Sequence, residues 1–234
     1  VGAAEAHLVL AEFVAELLDN VESRMNSLEW KRAGNRSEER DKEYNQCAAM
    51  YDEKFAAFRK FPKSPSKKAI EVEKKAKEQE LRDIHIHMRT LKKEIDMDKK
   101  ERESVENSAV DFLKWSLQNY QHGLALSGAG AGDVTRHIFR CCSIWLKNSD
   151  EPGVNKIMGK CAETVKSYMF VPLIYQLFSR VGSGNKEFQK ALNALVVKIC
   201  QEHPHHGIVQ LLTLANGANV GSGVSGRQAN TYLQ

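Results

Sequence analysis

The chain has 234 residues, 42% of them apolar, and its five prolines leave long segments rich in Ala, Leu, Glu and Lys uninterrupted. Helix is therefore the expected structure. A net charge of +4 from 34 cationic and 30 anionic side chains differs from the one-sided basicity of a dedicated nucleic-acid binder, so no direct nucleic-acid contact is predicted. Five cysteines without a CxxC pair argue against a disulfide framework and fit a reducing, intracellular compartment.

The first half of the chain is expected to form long, solvated helices. The opening residues VGAAEAHLVLAEFVAELL have acids within the apolar run and no cationic start, so neither a signal peptide nor a membrane span is predicted. Apolar residues at three-four spacing predict a helix that ends near Ala33-Gly34-Asn35. A second apolar stripe follows: Tyr44, Cys47, Ala48, Tyr51, Phe55 and Phe58. The prolines Pro62 and Pro65 end it, and Ser66 is a plausible N-cap for the next helix.

A third helix is predicted from Lys67 to about Leu126, either continuous or broken near Met97 to Ser104. Its apolar residues keep a seven-residue register: Leu81, Ile84, Met88, Leu91 and Ile95. Such a register is typical of coiled-coil packing, so the first three helices are interpreted as a stack of long antiparallel hairpins.

The second half is less charged, since residues 121–234 hold 11 Lys+Arg and 6 Asp+Glu. A flexible loop is predicted at Ser127 to Gly132, then a helix capped by Asp133, then a short helix around Val154 to Lys160. Two later helices are each expected to begin with a proline and end before a glycine, at Pro172 to Gly182 and Pro204 to Gly217. The helix between them has the stripe Phe188, Leu192, Leu195, Val196 and Ile199. The spacing of these two prolines is close to the period of tetratricopeptide solenoids.

The segment CQEHPHHG raises the question of a metal site. A zinc ion needs three or four convergent ligands, but His205 and His206 are adjacent on a helix and point about 100° apart. His203 precedes Pro204 in the turn. The preferred interpretation is a structural corner between two helices, formed by His203, Pro204, His205 and His206, with no metal. His85 and His87, two residues apart on a helix, cannot share a face.

Other chemical signals are weak. The glycine run SGAGAGD follows a helix and lacks the Lys-Ser/Thr ending of a phosphate loop, and HRD and DFG kinase signatures do not occur. No catalytic or cofactor-binding residue is therefore predicted. The basic stretch from Arg59 to Lys68, which contains Ser64, is interpreted as a solvated helix start. Cys141 and Cys142 are expected to be buried, inert thiols.

Several blocks in the same order resemble the FAT domain of kinases of the ataxia-telangiectasia mutated (ATM) type. The blocks are Leu91 to Asp98, Phe112 to Lys114, Asn119-Tyr120, Phe139 to Ser149, Tyr168 to Leu177, and Glu202 to His206 followed by Leu211 to Asn216. The resemblance covers about residues 90–219; residues 1–89 match only in helical character. Lys99 stands where the family has an acid, and the loop from Gly128 to Gly132 has its own sequence.

The resemblance implies a piece of a large serine/threonine protein kinase that responds to DNA double-strand breaks in the nucleus. The chain would be the last part of a FAT solenoid, without the kinase domain. ATP and magnesium would be bound by the parent kinase. The implied partners are the kinase domain of the same polypeptide, which the FAT helices clamp and regulate, and a second copy in a homodimer.

The sequence thus predicts an all-α fold, an α-solenoid of antiparallel helical hairpins of the tetratricopeptide or HEAT type. The expected organisation is long charged hairpins in 1–126, terminal apolar repeats in 127–217 and a flexible tail in 218–234. Trp145, Leu146, Pro172 and Leu177 are the predicted structural core. The alternative function is a stand-alone tetratricopeptide-like adaptor that binds a partner helix or peptide in its groove.

Overall fold

A computed structural model of the protein describes residues 2–60, 68–128 and 134–217. Every regular element in those ranges is helical. The elements are α1 (Gly2–Asn26), α2 (Leu28–Phe58), α3 (Lys68–Leu126), α4 (Val134–Lys147), α5 (Val154–Thr164), a 3-10 helix (Ser167–Leu173), α6 (Ile174–Phe178), α7 (Lys186–Glu202) and α8 (Pro204–Gly217). None of the helices in those ranges is long and apolar enough to cross a membrane.

The residues fall into two compact units by their contacts. Unit 1 comprises Val1–Asn20 and Ala109–Gln234, and unit 2 comprises Val21–Ser108. The predicted loop at residues 129–133 with its cap Asp133, the Pro62–Ser66 segment and the tail 218–234 lie outside the described residues. The division into 1–126, 127–217 and 218–234 stays a prediction.

The break between the first two helices lies at Ser27, and the predicted end near Gly34 is wrong. Ser27 has extended backbone angles, and its hydroxyl accepts a hydrogen bond from the Trp30 backbone N–H at 3.1 Å, so it caps the start of α2. Gly34 lies inside α2, where a Cβ atom would come 2.5 Å from Nη1 of Arg102. The glycine therefore leaves room for the Arg102 guanidinium.

In unit 2, α2 runs antiparallel to α3, as predicted, and ion pairs join the two helices along their length. Lys54 pairs with Glu80, and further along Arg40 pairs with both Glu94, at 3.3 Å, and Asp98. The last turn of α1 also lies along α3, since Arg24 bonds Glu101 at 2.9 Å.

Helix α3 is a single 59-residue helix, which settles the question of a break at residues 97–104. Its heptad positions are the sheltered ones: Leu81, Leu91 and Ile95 are buried, and Ile84 and Met88 are half-buried. On α2 the inward residues are mostly small or polar, and Ser37 is its only buried side chain. The seam of unit 2 is therefore thin in apolar contacts and depends on long charged side chains.

Unit 1 contains one large apolar core. Its members come from α1, the end of α3, and every later element, with Leu117, Ile138, Phe170, Leu192 and Ile199 fully buried. Helix α7 packs against α5, α8 and the 3-10 helix, and all five residues of its predicted apolar stripe are buried. Burial of such side chains contributes about 1.5–3 kcal/mol each to the free energy of unfolding. The apolar stripe of α7 is therefore a main source of stability in this unit.

Helix α1 crosses the end of α3 closely within unit 1. A Cβ atom on Gly123 would lie 2.7 Å from Cδ2 and Cγ of Leu8 and 3.2 Å from the carbonyl oxygen of Ala4. His7 Nδ1 also bonds Oδ1 of Asn119 at 3.0 Å. The absence of a side chain at Gly123 is therefore what permits this crossing.

Replacing Gly123 with alanine should lower the free energy of unfolding by about 1–3 kcal/mol, because the new methyl group overpacks the crossing. The matched control is Gly159→Ala in α5, where nothing lies within 4 Å of the added Cβ and helix propensity alone favours alanine by about 0.5–1 kcal/mol. Urea unfolding followed by circular dichroism measures both. Equal effects in the two variants would contradict the close crossing.

Candidate functional site: the helical corner and its packing

A corner between α7 and α8 lies at His203 and Pro204, and a histidine links it to the preceding 3-10 helix. His203 follows the last residue of α7 with φ −134° and ψ 61°, and Pro204 is the first residue of α8. The carbonyl oxygen of His203 accepts backbone bonds from His206 at 3.1 Å and Gly207 at 3.0 Å. His203 is half-buried, whereas His205 and His206 are exposed. Pro204 suits this place because the first turn of a helix needs no partner for its missing N–H.

Ser167 joins the corner to the 3-10 helix. Its buried hydroxyl lies 2.8 Å from Nε2 of His203 and also bonds Oε2 of Glu202. A hydroxyl has a single hydrogen, so the consistent arrangement has Ser167 donating to the Glu202 carboxylate and accepting from a protonated Nε2 of His203. The imidazole is thus engaged in a structural bond. Among the described residues, no group of three or more His, Cys, Asp or Glu side chains is placed to hold a metal ion.

The two helices of the corner approach each other closely at Gly207. A Cβ atom there would lie 2.7 Å from Sγ and 2.9 Å from Cα of Cys200. Because a backbone atom of α7 stands so near, any side chain at position 207 would push α8 away. The corner therefore needs glycine here.

A lysine of α7 caps the end of α5. The Lys198 ammonium donates to the carbonyl oxygens of Ala162 at 2.7 Å, Val165 at 2.9 Å and Glu163 at 3.3 Å. The last carbonyls of a helix lack partners within the helix and carry partial negative charge. Lys198 supplies both hydrogen bonds and opposite charge. Sequence reasoning missed it, because its partners lie 33–36 residues away.

Trp145 is buried at the centre of a polar and aromatic cluster. Its indole N–H donates to Oδ1 of Asn155 at 2.8 Å, and the Asn155 amide donates to the Ser149 carbonyl at 2.7 Å. The Trp145 ring lies 5.2 Å from that of Phe188, centroid to centroid. The N-cap Asn185 also donates to the Ser149 carbonyl, at 3.1 Å. Trp145 therefore connects α4, α5 and the start of α7.

The other predicted core residues differ in burial. Leu177 is fully buried, and Leu146 is half-buried against the core. Pro172 is exposed, contrary to the prediction, because it lies within the 3-10 helix and not at the start of an α-helix. With three residues per turn, the buried ridge of that segment is Ser167, Phe170 and Leu173. The following helix, α6, has only five residues.

Three cysteines lie together in the core between α4 and α5. Cys141, Cys142 and Cys161 are all buried, and Sγ of Cys141 lies 3.9 Å from Sδ of Met158. The hydrogen bond to Cys161 and burial raise the pKa of Cys141, and burial raises the pKa of Cys142. Thiolates are the reactive form, so both side chains fit the predicted inert role.

The sequence and the helical fold were both compared with those of known proteins. No protein-family model matches the chain. It is 31% identical over 216 residues to the serine/threonine-protein kinase ATM of Arabidopsis thaliana, a match that covers 90% of this chain and 5% of that protein. The pig ATM kinase is 36% identical over 129 residues, or 54% of the chain and 4% of its own length. Among solved structures, the open conformation of CtTel1 matches 98% of this chain and 7% of its own, with a TM-score of 0.68 and 24% identity.

A structure of the FAT and kinase domain of CtTel1 also matches 95% of this chain and 13% of its own, with a TM-score of 0.55 and 21% identity. The chain is homologous to a part of the ATM/Tel1 kinases. The predicted resemblance and the all-α, solenoid-like fold are confirmed. A match over 90% of the chain includes most of residues 1–89, where the sequence alone indicated helical character. The chain spans about a twentieth of the length of the curated relatives it matches.

Removing the Ser167 hydroxyl should destabilise the corner. In Ser167→Ala the half-buried His203 loses a hydrogen-bond partner, whereas the exposed Glu202 can bond water instead. We therefore expect a loss of about 0.5–1.5 kcal/mol in the free energy of unfolding. Ser179→Ala is the control, because Ser179 is exposed and its hydroxyl bonds the Gln176 carbonyl within the same short segment. Chemical denaturation of both variants measures the difference, and a Ser167 variant as stable as the control would refute the link.

The raised thiol pKa values predict a loss of stability at alkaline pH. Below the unfolded thiol pKa of about 8.5 both states are protonated, and above it only the unfolded chain ionises. Each such thiol then lowers the free energy of unfolding by about 1.4 kcal/mol per pH unit. Urea unfolding between pH 8 and 10 should show this slope, and Cys142→Ala should reduce it relative to the wild type. A slope that is unchanged in the variant would contradict the assignment.

Proposed function

We propose that this chain is a non-catalytic scaffold segment of an ATM-like serine/threonine protein kinase, which clamps and regulates the kinase domain of the same polypeptide and supports homodimer formation. The similarity to ATM and Tel1 kinases over 90% of the chain is the observation that carries this function. The likeness to a CtTel1 dimer, with a TM-score of 0.55 over 95% of the chain, supports the dimeric partner. The parent would act in the nucleus, in the response to DNA double-strand breaks.

The packing of unit 1 supports a mechanical role. Ser167 bonds the α7–α8 corner, Lys198 joins α7 to the end of α5, and Trp145 joins α4 to α5 and Phe188 of α7. Displacement of any one helix therefore disturbs bonds in the next, and packed interfaces of this kind shift between discrete arrangements. Such a unit transmits force between whatever is bound to its different faces.

Catalysis would take place elsewhere in the parent kinase. The described residues form helices only, whereas a kinase holds ATP beneath a glycine loop and a strand lysine. ATP and magnesium would accordingly be bound by the kinase domain and not by this chain.

The test uses the full-length parent kinase with Trp145→Ala or Leu177→Ala. Each change removes a buried side chain from unit 1 at a cost of about 2–5 kcal/mol. We expect altered basal and stimulated kinase activity with an unchanged KM for ATP, because no catalytic group is touched. Tyr175→Ala is the matched control, since Tyr175 is 72% exposed and close to Leu177 in sequence. Wild-type basal and stimulated activity in a folded Leu177 variant would refute the scaffold role.

A further inference from the structure

The helix α1 carries an apolar stripe that faces away from the core of unit 1. Its buried side is formed by Ala4, Leu8, Ala11, Val14, Ala15 and Leu18. On the opposite side Val9, Leu10 and Phe13 are 60%, 46% and 57% exposed. Isolated exposed apolar residues are ordinary, but a contiguous apolar stripe on a helix marks a contact surface.

The stripe is an open surface of α1, formed by Gly2, Glu5, Ala6, Val9, Leu10 and Phe13. The residues Gly2, Ala6, Val9 and Phe13 recur at three-four spacing, so they form one line along the helix. The small residues are at one end of the line and the large ones at the other. This shape accepts a rod-like partner, such as a helix, that approaches closely at the Gly2 end.

The charge of α1 selects among possible helices. Residues 2–20 contain Glu5, Glu12, Glu16 and Asp19 and no Lys or Arg, although the whole chain has a net charge of +4. Glu12 and Asp19 are already paired, with Arg136 and Arg140. Glu5 and Glu16 make no ion pair in the described part of the chain, and at 100° per residue both lie on one edge of the apolar stripe.

Two other occupants are disfavoured by the same charges. A two-fold contact between copies through this face would place Glu5 and Glu16 of one copy near the same acids of the other, and like charges across an interface cost affinity. A membrane surface is negatively charged and repels an acidic helix. A partner helix with basic side chains beside an apolar stripe would complement both the acidic residues and the apolar residues of this face.

From these observations we propose that the outward face of α1, formed by Val9, Leu10 and Phe13 with Glu5 and Glu16 on its edge, docks a basic amphipathic helix from outside these 234 residues. The helix would set leucine-like side chains along Val9 and Phe13. Its Lys or Arg side chains would pair with Glu5 and Glu16. Neither the similarity to known kinases nor the scaffold function assigns this surface.

The experiment uses the whole 234-residue protein and two fluorescent helical peptides. Both are about five turns long, roughly 18 residues at 3.6 residues per turn, with leucines on one face and either lysine or glutamate on the other. Fluorescence anisotropy should show that the lysine peptide binds at least about tenfold more tightly than its glutamate twin, less so at high salt. Equal binding of the two peptides would overturn the proposal.

Variants distinguish binding at the proposed face from nonspecific binding elsewhere on the protein. Phe13→Ser and Val9→Ser should each weaken binding of the lysine peptide by roughly tenfold, as expected of central apolar contacts. The double reversal Glu5→Lys with Glu16→Lys should invert the preference toward the glutamate peptide. Val209→Ser is the matched control, because Val209 is 55% exposed on α8 of the same unit, and it should bind like the wild type. A loss in the control equal to that in Phe13→Ser would refute the site.

Two further measurements test the rejected occupants. Analytical ultracentrifugation that shows self-association abolished by Phe13→Ser would assign the face to a second copy. Flotation with vesicles of anionic phospholipid that depends on Phe13 would assign it to a membrane. Either result overturns the basic helix as occupant, and circular dichroism confirms that each variant is folded.

Discussion

The fold of unit 1 depends on one constraint, the enclosure of α7 by its neighbours. Phe188, Leu192, Leu195, Val196 and Ile199 are removed from water only because α5, the 3-10 helix and α8 all pack against this helix. Hydrophobic burial is non-directional, so it holds the helices together without fixing their angles. The directional hydrogen bonds of Ser167, Lys198 and Trp145 constrain those angles. Gly207 sets how closely α7 and α8 approach each other.

Unit 2 is stabilised in a different way. Its helices share few buried apolar residues, and their contacts are ion pairs between partly exposed side chains, such as Arg24 with Glu101 and Arg40 with Glu94. Exposed pairs contribute about 0–1 kcal/mol each and weaken with salt. Trp30 adds a stacked contact, because the Arg102 guanidinium lies 4.8 Å from its ring. The unit is consequently the more sensitive of the two to ionic conditions.

Periodicity in the sequence predicted the helices wherever one apolar face is buried. The α7 stripe, the heptads of α3 and the start of α8 at Pro204 all agree with the structure.

The errors in the sequence-based predictions have physical causes. The apolar pattern continues from Met25 to Leu28, so it conceals the cap at Ser27. Gly34 lies within α2, at a position where a side chain would meet Arg102. At Pro172 the sequence allows an α-helix or a 3-10 helix, and packing of Phe170 and Leu173 selects the latter. The hydrogen bonds of Ser167 and Lys198 join residues more than 30 positions apart, so local sequence patterns cannot predict them.

The three tryptophans occupy three distinct surroundings. Trp145 is enclosed in unit 1 with its indole N–H bonded, Trp115 is 53% exposed, and Trp30 in unit 2 lies near two guanidinium groups, those of Arg24 and Arg102. Indole emission depends on polarity and on nearby charge. Each compact unit thus contains its own intrinsic fluorophore, and versions of the protein that keep only Trp30 or only Trp145 would report optically on one unit at a time.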